Sequence, residues 1–215
     1  YAATTLVSTV WLISTISGKE KLEEAKATFG TTLSLFSDKY ITSLFLGILF
    51  IVGIDVGLNT TIPKLLMERT GMALSEAGLG TSLYFAARTI GSFAGAFLLA
   101  KLSASRFLKY SMFVAIVAFV LLLAVPDTWS MFVMIVIVGL ACANVFSIIF
   151  SFALQHKPER ANEISALMIM GVSGGALITP LMGIVADGFG QVAGLSILLL
   201  CILYICLISF GIDKK

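Results

Sequence analysis

Residues Ser165–Gly190 read SALMIMGVSGGALITPLMGIVADGFG. The run carries a single charge, Asp187 near its end, and polar and apolar positions do not alternate along it. At 1.5 Å per residue a helix of this length crosses a hydrocarbon core of ~30 Å, whereas a barrel strand would alternate. Within the run, Met170–Leu177 (MGVSGGAL) also matches G-x-S-x-G, the nucleophile elbow of serine hydrolases, and the shorter G-x-S-G of intramembrane serine proteases. Either Ser173 is a nucleophile, or this is a membrane helix made thin by glycine.

The remainder of the chain favours the membrane helix. Hydrophobic residues make up 59% of the sequence and charged residues 12%, about half the charged fraction of an ordinary soluble domain. A net charge of +2 leaves no basic surface for nucleic acid. Cys142, Cys201 and Cys206 all lie in apolar runs, as small hydrophobes rather than a disulfide or metal framework. Neither a metal nor a cofactor is expected.

Apolar runs recur at about 40 to 66, 77 to 101, 106 to 125, 129 to 154, 160 to 186 and 191 to 211. Each is long enough to span a bilayer, and backbone hydrogen bonding in lipid requires them to be helices. The expected class is an all-α polytopic membrane protein, with loops too short for a soluble catalytic domain. Residues 1–16 read as the end of a truncated transmembrane helix, 17–39 as a charged linker with room for a short interfacial helix over 21–36, 40–211 as the six-helix bundle, and 212–215 as a tail. Lys19, Lys21, Lys26 and Lys39, then Lys101, Arg106 and Lys109, then Lys157 and Arg160, and finally Lys214 and Lys215 all fall on one side. The opposite loops carry only Lys64 and Arg69. The positive-inside rule places the linker and the C-terminus in the cytoplasm.

Spans three and six are plain and apolar, while the other four carry glycine and polar residues. Two decorated helices followed by a plain one, twice over, imply two three-helix repeats of inverted topology, as in secondary transporters. Asp55 and Arg88 lie mid-span, where an ionised side chain costs ~2.5–3.5 kcal/mol and has to face protein or water. Asp55 shares a helical face with Asn59, Arg88 with Tyr84 and Ser92, and Asn144 with Ser147 and Ser151. Three such stripes at one depth would line a hydrated pathway suited to a polyhydroxylated ligand; a buried structural ion pair and polar helix glue are the plainer alternatives. Gly53 and Gly57, Gly91 and Gly95, and the group Gly171, Gly174 and Gly175 permit close helix approach, and Pro63 and Pro180 permit bends.

These residues resemble the fucose permease and glucose/galactose transporter branch of the major facilitator superfamily, sugar:proton symporters built of two six-helix halves. Span five resembles that family's eleventh helix through Gly174, Gly175, Thr179, Pro180, Gly183, Asp187 and Gly190, and Arg88-Thr89-Ile90-Gly91 resembles an R-x-x-G in its eighth. The resemblance is to the C-terminal half. It implies a sugar cargo, a proton as coupling ion, alternating access against an N-terminal six-helix half, and a place in the bacterial inner membrane. Fucose transporters of the family carry glutamine where this chain has Asp55 and Phe150, so the implied cargo is glucose, galactose or another hexose.

Two other classes compete with that reading. A protease using Ser173 needs a general base within hydrogen-bond reach, yet the only histidine, His156, sits in the loop QHKPERAN, at least half a membrane away. Ser173 is expected instead to be a pathway residue of a protein that is not an enzyme. A sugar-binding scaffold that moves nothing is the third class.

Overall fold

The computed structural model describes residues 2–15 and 28–212, and every regular element among them is helical. Helix α1 (Ala2–Thr15) is followed by α2 (Phe29–Ser34) and a 3-10 turn, Leu35–Ser37. Span one is α3 (Lys39–Thr70), span two α4 (Leu74–Leu99) and span three α5 (Ala104–Ala124). Span four is split into α6 (Thr128–Cys142) and α7 (Val145–His156). Span five comprises α8 (Ala161–Met170), a 3-10 turn at Gly171–Ser173 and α9 (Gly174–Phe189), and span six is α10 (Gln191–Ile212).

All six spans are long and apolar enough to cross a membrane, as expected. Span one runs on past the expected end at 66 because Gly71, not Pro63, stops it: Gly71 takes the left-handed conformation (φ +70°), and its amide donates to the Met67 carbonyl at 3.0 Å. Pro63 has no amide for the Asn59 carbonyl, and the Thr81 hydroxyl of α4 reaches that carbonyl at 3.5 Å instead. Of the region expected to hold an interfacial helix, Phe29–Ser34 is helical, and 21–27 lies outside the described residues, as does the expected tail beyond Ile212.

Pairing follows the inverted repeat. Spans one and four form the centre, each with 56% of its most apolar window buried, against 22% for α4. Span one packs on spans five and six, and span four packs on spans two and three, contacts that exchange when the triplets are interchanged. Two counterparts are weak: α9 lies along α10, but α4 makes little contact with α5, and α3 lies along α4, but span four meets span five only near the α7–α8 turn.

The glycine cluster of span five serves this packing. A Cβ on Gly174 would overlap the Leu49 carbonyl of α3, one on Gly171 would press on Ile48, and one on Gly175 on Val56. From the other side, Gly53 makes room for Ile178 and Gly57 for Met182. MGVSGGAL is therefore a thin, locally tightened stretch of helix set directly on the backbone of α3.

Polar side chains anchor the ends. Asp38 caps α3 by accepting the amide of Tyr40 at 2.9 Å, and it also meets His156 Nε2 at 3.0 Å and Lys157 Nζ at 2.7 Å at the end of span four. Lys157 outweighs the desolvation that would raise the Asp38 carboxyl, which with His156 and the α3 amides is held well below the usual carboxylate range. Arg160 donates to the Thr31 carbonyl (2.7 Å) and to the Ser34 hydroxyl (3.0 Å), which ties α2 to the start of span five. At the other end, Arg69 donates to the Leu123 and Val125 carbonyls at 2.6 and 3.2 Å, closing the C-terminus of α5.

Two outcomes are expected when the unfolding of the detergent-solubilised full-length protein is measured. Gly174→Ala destabilises by about 1–3 kcal/mol through overpacking, while Gly183→Ala, whose Cβ meets nothing within 4 Å, leaves stability unchanged. Asp38→Ala loses cap and ion pair together, ~1–2 kcal/mol, whereas Asp38→Asn retains the cap and loses ~0–1 kcal/mol. Because the folded pKa lies below the unfolded one, the wild-type advantage is present above pH ~4 and is lost only as pH falls through the depressed value.

Candidate functional site

Asp55 lies near the middle of α3, and Tyr84 and Arg88 lie one turn apart on the facing side of α4. The two helices approach closely because Gly80 leaves no side chain between α4 and Leu66 and Ile62 of α3. The Arg88 guanidinium pairs with Asp55 Oδ2, and the Tyr84 hydroxyl donates to Asp55 Oδ1 at 2.7 Å. Tyr84 is fully buried, with its ring edge-on to Phe85 at 5.3 Å and its backbone carbonyl against Gly139 of α6. Asp55 and Arg88 keep 18% and 19% of their side chains exposed, so the cluster is held from behind and open at one edge.

The other expected residues separate into two groups. Asn144 occupies the interruption between α6 and α7; it is buried, its amide donates to the Gly91 carbonyl at 2.8 Å, and it fills the space over Gly95. The stripe drawn through Asn144, Ser147 and Ser151 is thus not one face. The helix breaks at 143–144, Asn144 turns into the contact with α4, and Ser147 and Ser151 are exposed, with Gln155 donating to Ser151 at 2.8 Å. Asn59 is exposed one turn beyond Asp55, and Ser92 is committed to the Arg88 carbonyl at 2.9 Å. Gly91 and Gly95 are packing positions beneath Leu140, Ala143 and Asn144.

Ser173 is exposed on the side of span five away from α3, and Pro180 is exposed within α9. His156, the one histidine of the sequence, packs against Tyr40 at 4.6 Å. Gly174 sits nine residues further along α3, at Leu49, an axial separation of about 13 Å. No imidazole stands beside the serine of the G-x-S-G motif.

The sequence model of the Major Facilitator Superfamily matches residues 44–214. The chain belongs to this superfamily. Among its superfamily relatives, a putative glucose/galactose transporter of Helicobacter pylori (strain J99) is 26% identical over 157 residues, covering 73% of this chain and 38% of the relative. A glucose/galactose transporter of Brucella abortus is 25% identical over 162 residues, covering 74% and 39%. The chain thus spans less than two fifths of the length of these curated relatives. Among solved structures, the E. coli fucose:proton symporter FucP superposes with a TM-score of 0.84 at 18% identity, over 98% of this chain and 53% of that one. A bacterial homologue of the lysosomal transporter Spinster, inward-facing, gives 0.62 at 20% identity. The fold is that of a half of a superfamily transporter, in agreement with the expected class.

In this superfamily chain the sequence offered an Asp55–Arg88 ion pair as one reading, and the structure forms it; what it did not offer is that Tyr84 joins the pair, nor a role for Gly139, whose missing side chain admits the Tyr84 backbone. A lone glycine in an apolar run carries no signal of what it faces. Removing one charge strands the other. Arg88→Gln or Asp55→Asn alone is therefore expected to cost ~3–5 kcal/mol, and the double substitution less than the sum. Unfolding of the full-length variants in detergent checks this, and strictly additive costs would rule out the pairing.

Proposed function

We propose that the chain is the C-terminal half of a secondary transporter that moves a hexose across a bacterial inner membrane by alternating access, with a proton as coupling ion. The Asp55–Arg88–Tyr84 cluster at mid-membrane carries this reading. A carboxylate that accepts and a guanidinium that donates form a pair able to exchange partners with the hydroxyls of a sugar, one accepting and one donating at a time. Support also comes from relatives named as glucose/galactose transporters and from the fold shared with a fucose:proton symporter.

In this scheme the N-terminal half faces the open edge of the cluster, and the two halves rock about a site near the bilayer midplane. Arg88 holds Asp55 while the site is empty. An arriving sugar, or a proton on Asp55, loosens that hold and frees donors and acceptors for the cargo. Asn59, Ser147, Ser151 and Ser173 are exposed polar positions along the route, and Gly171, Gly174, Gly175 and Pro180 let span five move against α3. The basic clusters place the linker and C-terminus in the cytoplasm, which puts Asp38, His156 and Lys157 at the cytoplasmic end.

The test is uptake of radiolabelled glucose and galactose by proteoliposomes holding the full-length protein, with an inward proton gradient. Wild type is expected to accumulate one of the two sugars, and Asp55→Asn to lower uptake about tenfold or more and to flatten its pH profile. No uptake of either hexose by wild type would overturn the cargo. An unchanged pH profile in Asp55→Asn would overturn the coupling role of that carboxyl.

A further inference from the structure

The weak contact between α4 and α5 leaves a crevice. Helices α4 and α5 each pack on α6 but scarcely on one another, so a V-shaped groove runs between them with α6 as its floor. A cavity of about 360 Å³ lies at one end of it, where Leu98 of α4 faces α5, and a second of about 250 Å³, walled by α5 and α6 alone, continues from it past the shared Val114 and Ile137, so that the two form one groove. It extends along α5 from Phe107 to Leu121, about 21 Å by helical rise and longer than the ~15 Å of one leaflet of a ~30 Å hydrocarbon core. Of the residues lining it, only Tyr110 and Ser111 have polar side chains.

One end of the groove is cationic. Leu102 and Phe107 line that end, next in sequence to Lys101 and Arg106, and both cations are exposed. Arg106 shares a helical face with Tyr110, Phe113 and Val117, and so stands at the mouth of the groove. Its Nε donates to Ser103 Oγ at 2.9 Å, which holds the guanidinium at the first turn of α5, where the helix dipole also favours an anion. Lys109 is not part of the mouth, because its Nζ lies 5.2 Å from the centre of the Phe210 ring on α10. Residues 77–126 contain no aspartate or glutamate, and neither cation is in an ion pair among the described residues.

We infer that this groove binds an anionic phospholipid of the surrounding bilayer, with an acyl chain along α5 and α6 and the phosphate between Lys101 and Arg106. An apolar groove longer than a leaflet, ending in two exposed cations, matches a molecule with a long apolar tail and a charged head. A free phosphate would use only the mouth, and a zwitterionic lipid would use the tail site without the full benefit of the cations. At the end lined by Leu98 of α4, occupancy fills space that α9 and α10 fill against each other in the other repeat. The inference requires only that the chain lie in a bilayer and is independent of the cargo. Lipid retention is read without transport, so its failure and the failure of the transport reading are distinguishable.

Native mass spectrometry of the full-length protein in detergent, titrated with palmitoyl-oleoyl phosphatidylglycerol or with phosphatidylcholine of the same chains, tests it. One phosphatidylglycerol is expected to be retained with a preference of about thirtyfold at low ionic strength, from about fivefold per cation, and the preference falls with added salt. Lys101→Gln with Arg106→Gln reduces phosphatidylglycerol to the level of phosphatidylcholine, and Val114→Trp, which fills the groove, weakens both lipids. Retention of the unfolding midpoint in each variant shows that the fold is intact. Equal retention of the two lipids by wild type, or a preference that survives loss of both cations, would overturn the inference. So would displacement of the long-chain lipid by dihexanoyl phosphatidylglycerol or inorganic phosphate at equal concentration, since the tail would then contribute nothing.

Discussion

The distance between α3 and span five governs the rest of the bundle. In lipid there is no hydrophobic drive for one apolar helix to seek another, so association depends on how closely two backbones can fit. Gly171, Gly174 and Gly175 on one side and Gly53 and Gly57 on the other remove the side chains that would hold the helices apart. With α3 fixed in this way at the centre, its opposite face is left to α4, and the mid-membrane charges fall on that second interface. Asp55 meets Arg88 there because α3 is already committed behind it.

The two triplets share a contact plan but use it unequally. Where spans one and five meet, glycine and aliphatic side chains interlock. At the corresponding meeting of spans four and two, Gly91 and Gly95 admit Asn144, and a side-chain amide bonded to a backbone carbonyl occupies the space. The first contact rests on apolar packing. The second is pinned by a directional bond in a medium that offers the amide no other partner. The two equivalent interfaces of the half therefore differ in kind, one apolar and one fixed by a hydrogen bond.

Much of this was legible in the sequence, and the reasons for the remainder are physical. Six apolar runs with short loops gave the spans, because a bilayer imposes one length on all of them. Asp55 and Arg88 stood out because charge at that depth is costly. The stripe through Asn144, Ser147 and Ser151 was misread as one face because helical periodicity assumes an unbroken helix, and the only mark of the interruption is Asn144 itself, an N-cap residue type that was read as a polar pathway position. MGVSGGAL looked like an active site since a motif records spacing and not surroundings; against α3, its glycines touch backbone and its serine points away. The cluster of Asp38, His156 and Lys157 joins residues more than a hundred positions apart, a pairing that no local pattern predicts.

Arg160 gives the last of these features a mechanical meaning. It grips α2 at Thr31 and Ser34, while Asp38, just after α2, holds both the first turn of α3 and the end of α7. A pull on the chain ahead of Thr28 therefore does not end at the first helix it reaches. It is shared between the start of span one and the turn joining spans four and five, so the segment acts as a bridle with two attachment points. Tension along it would draw the central and glycine-bearing helices together as one body rather than peel the first of them away.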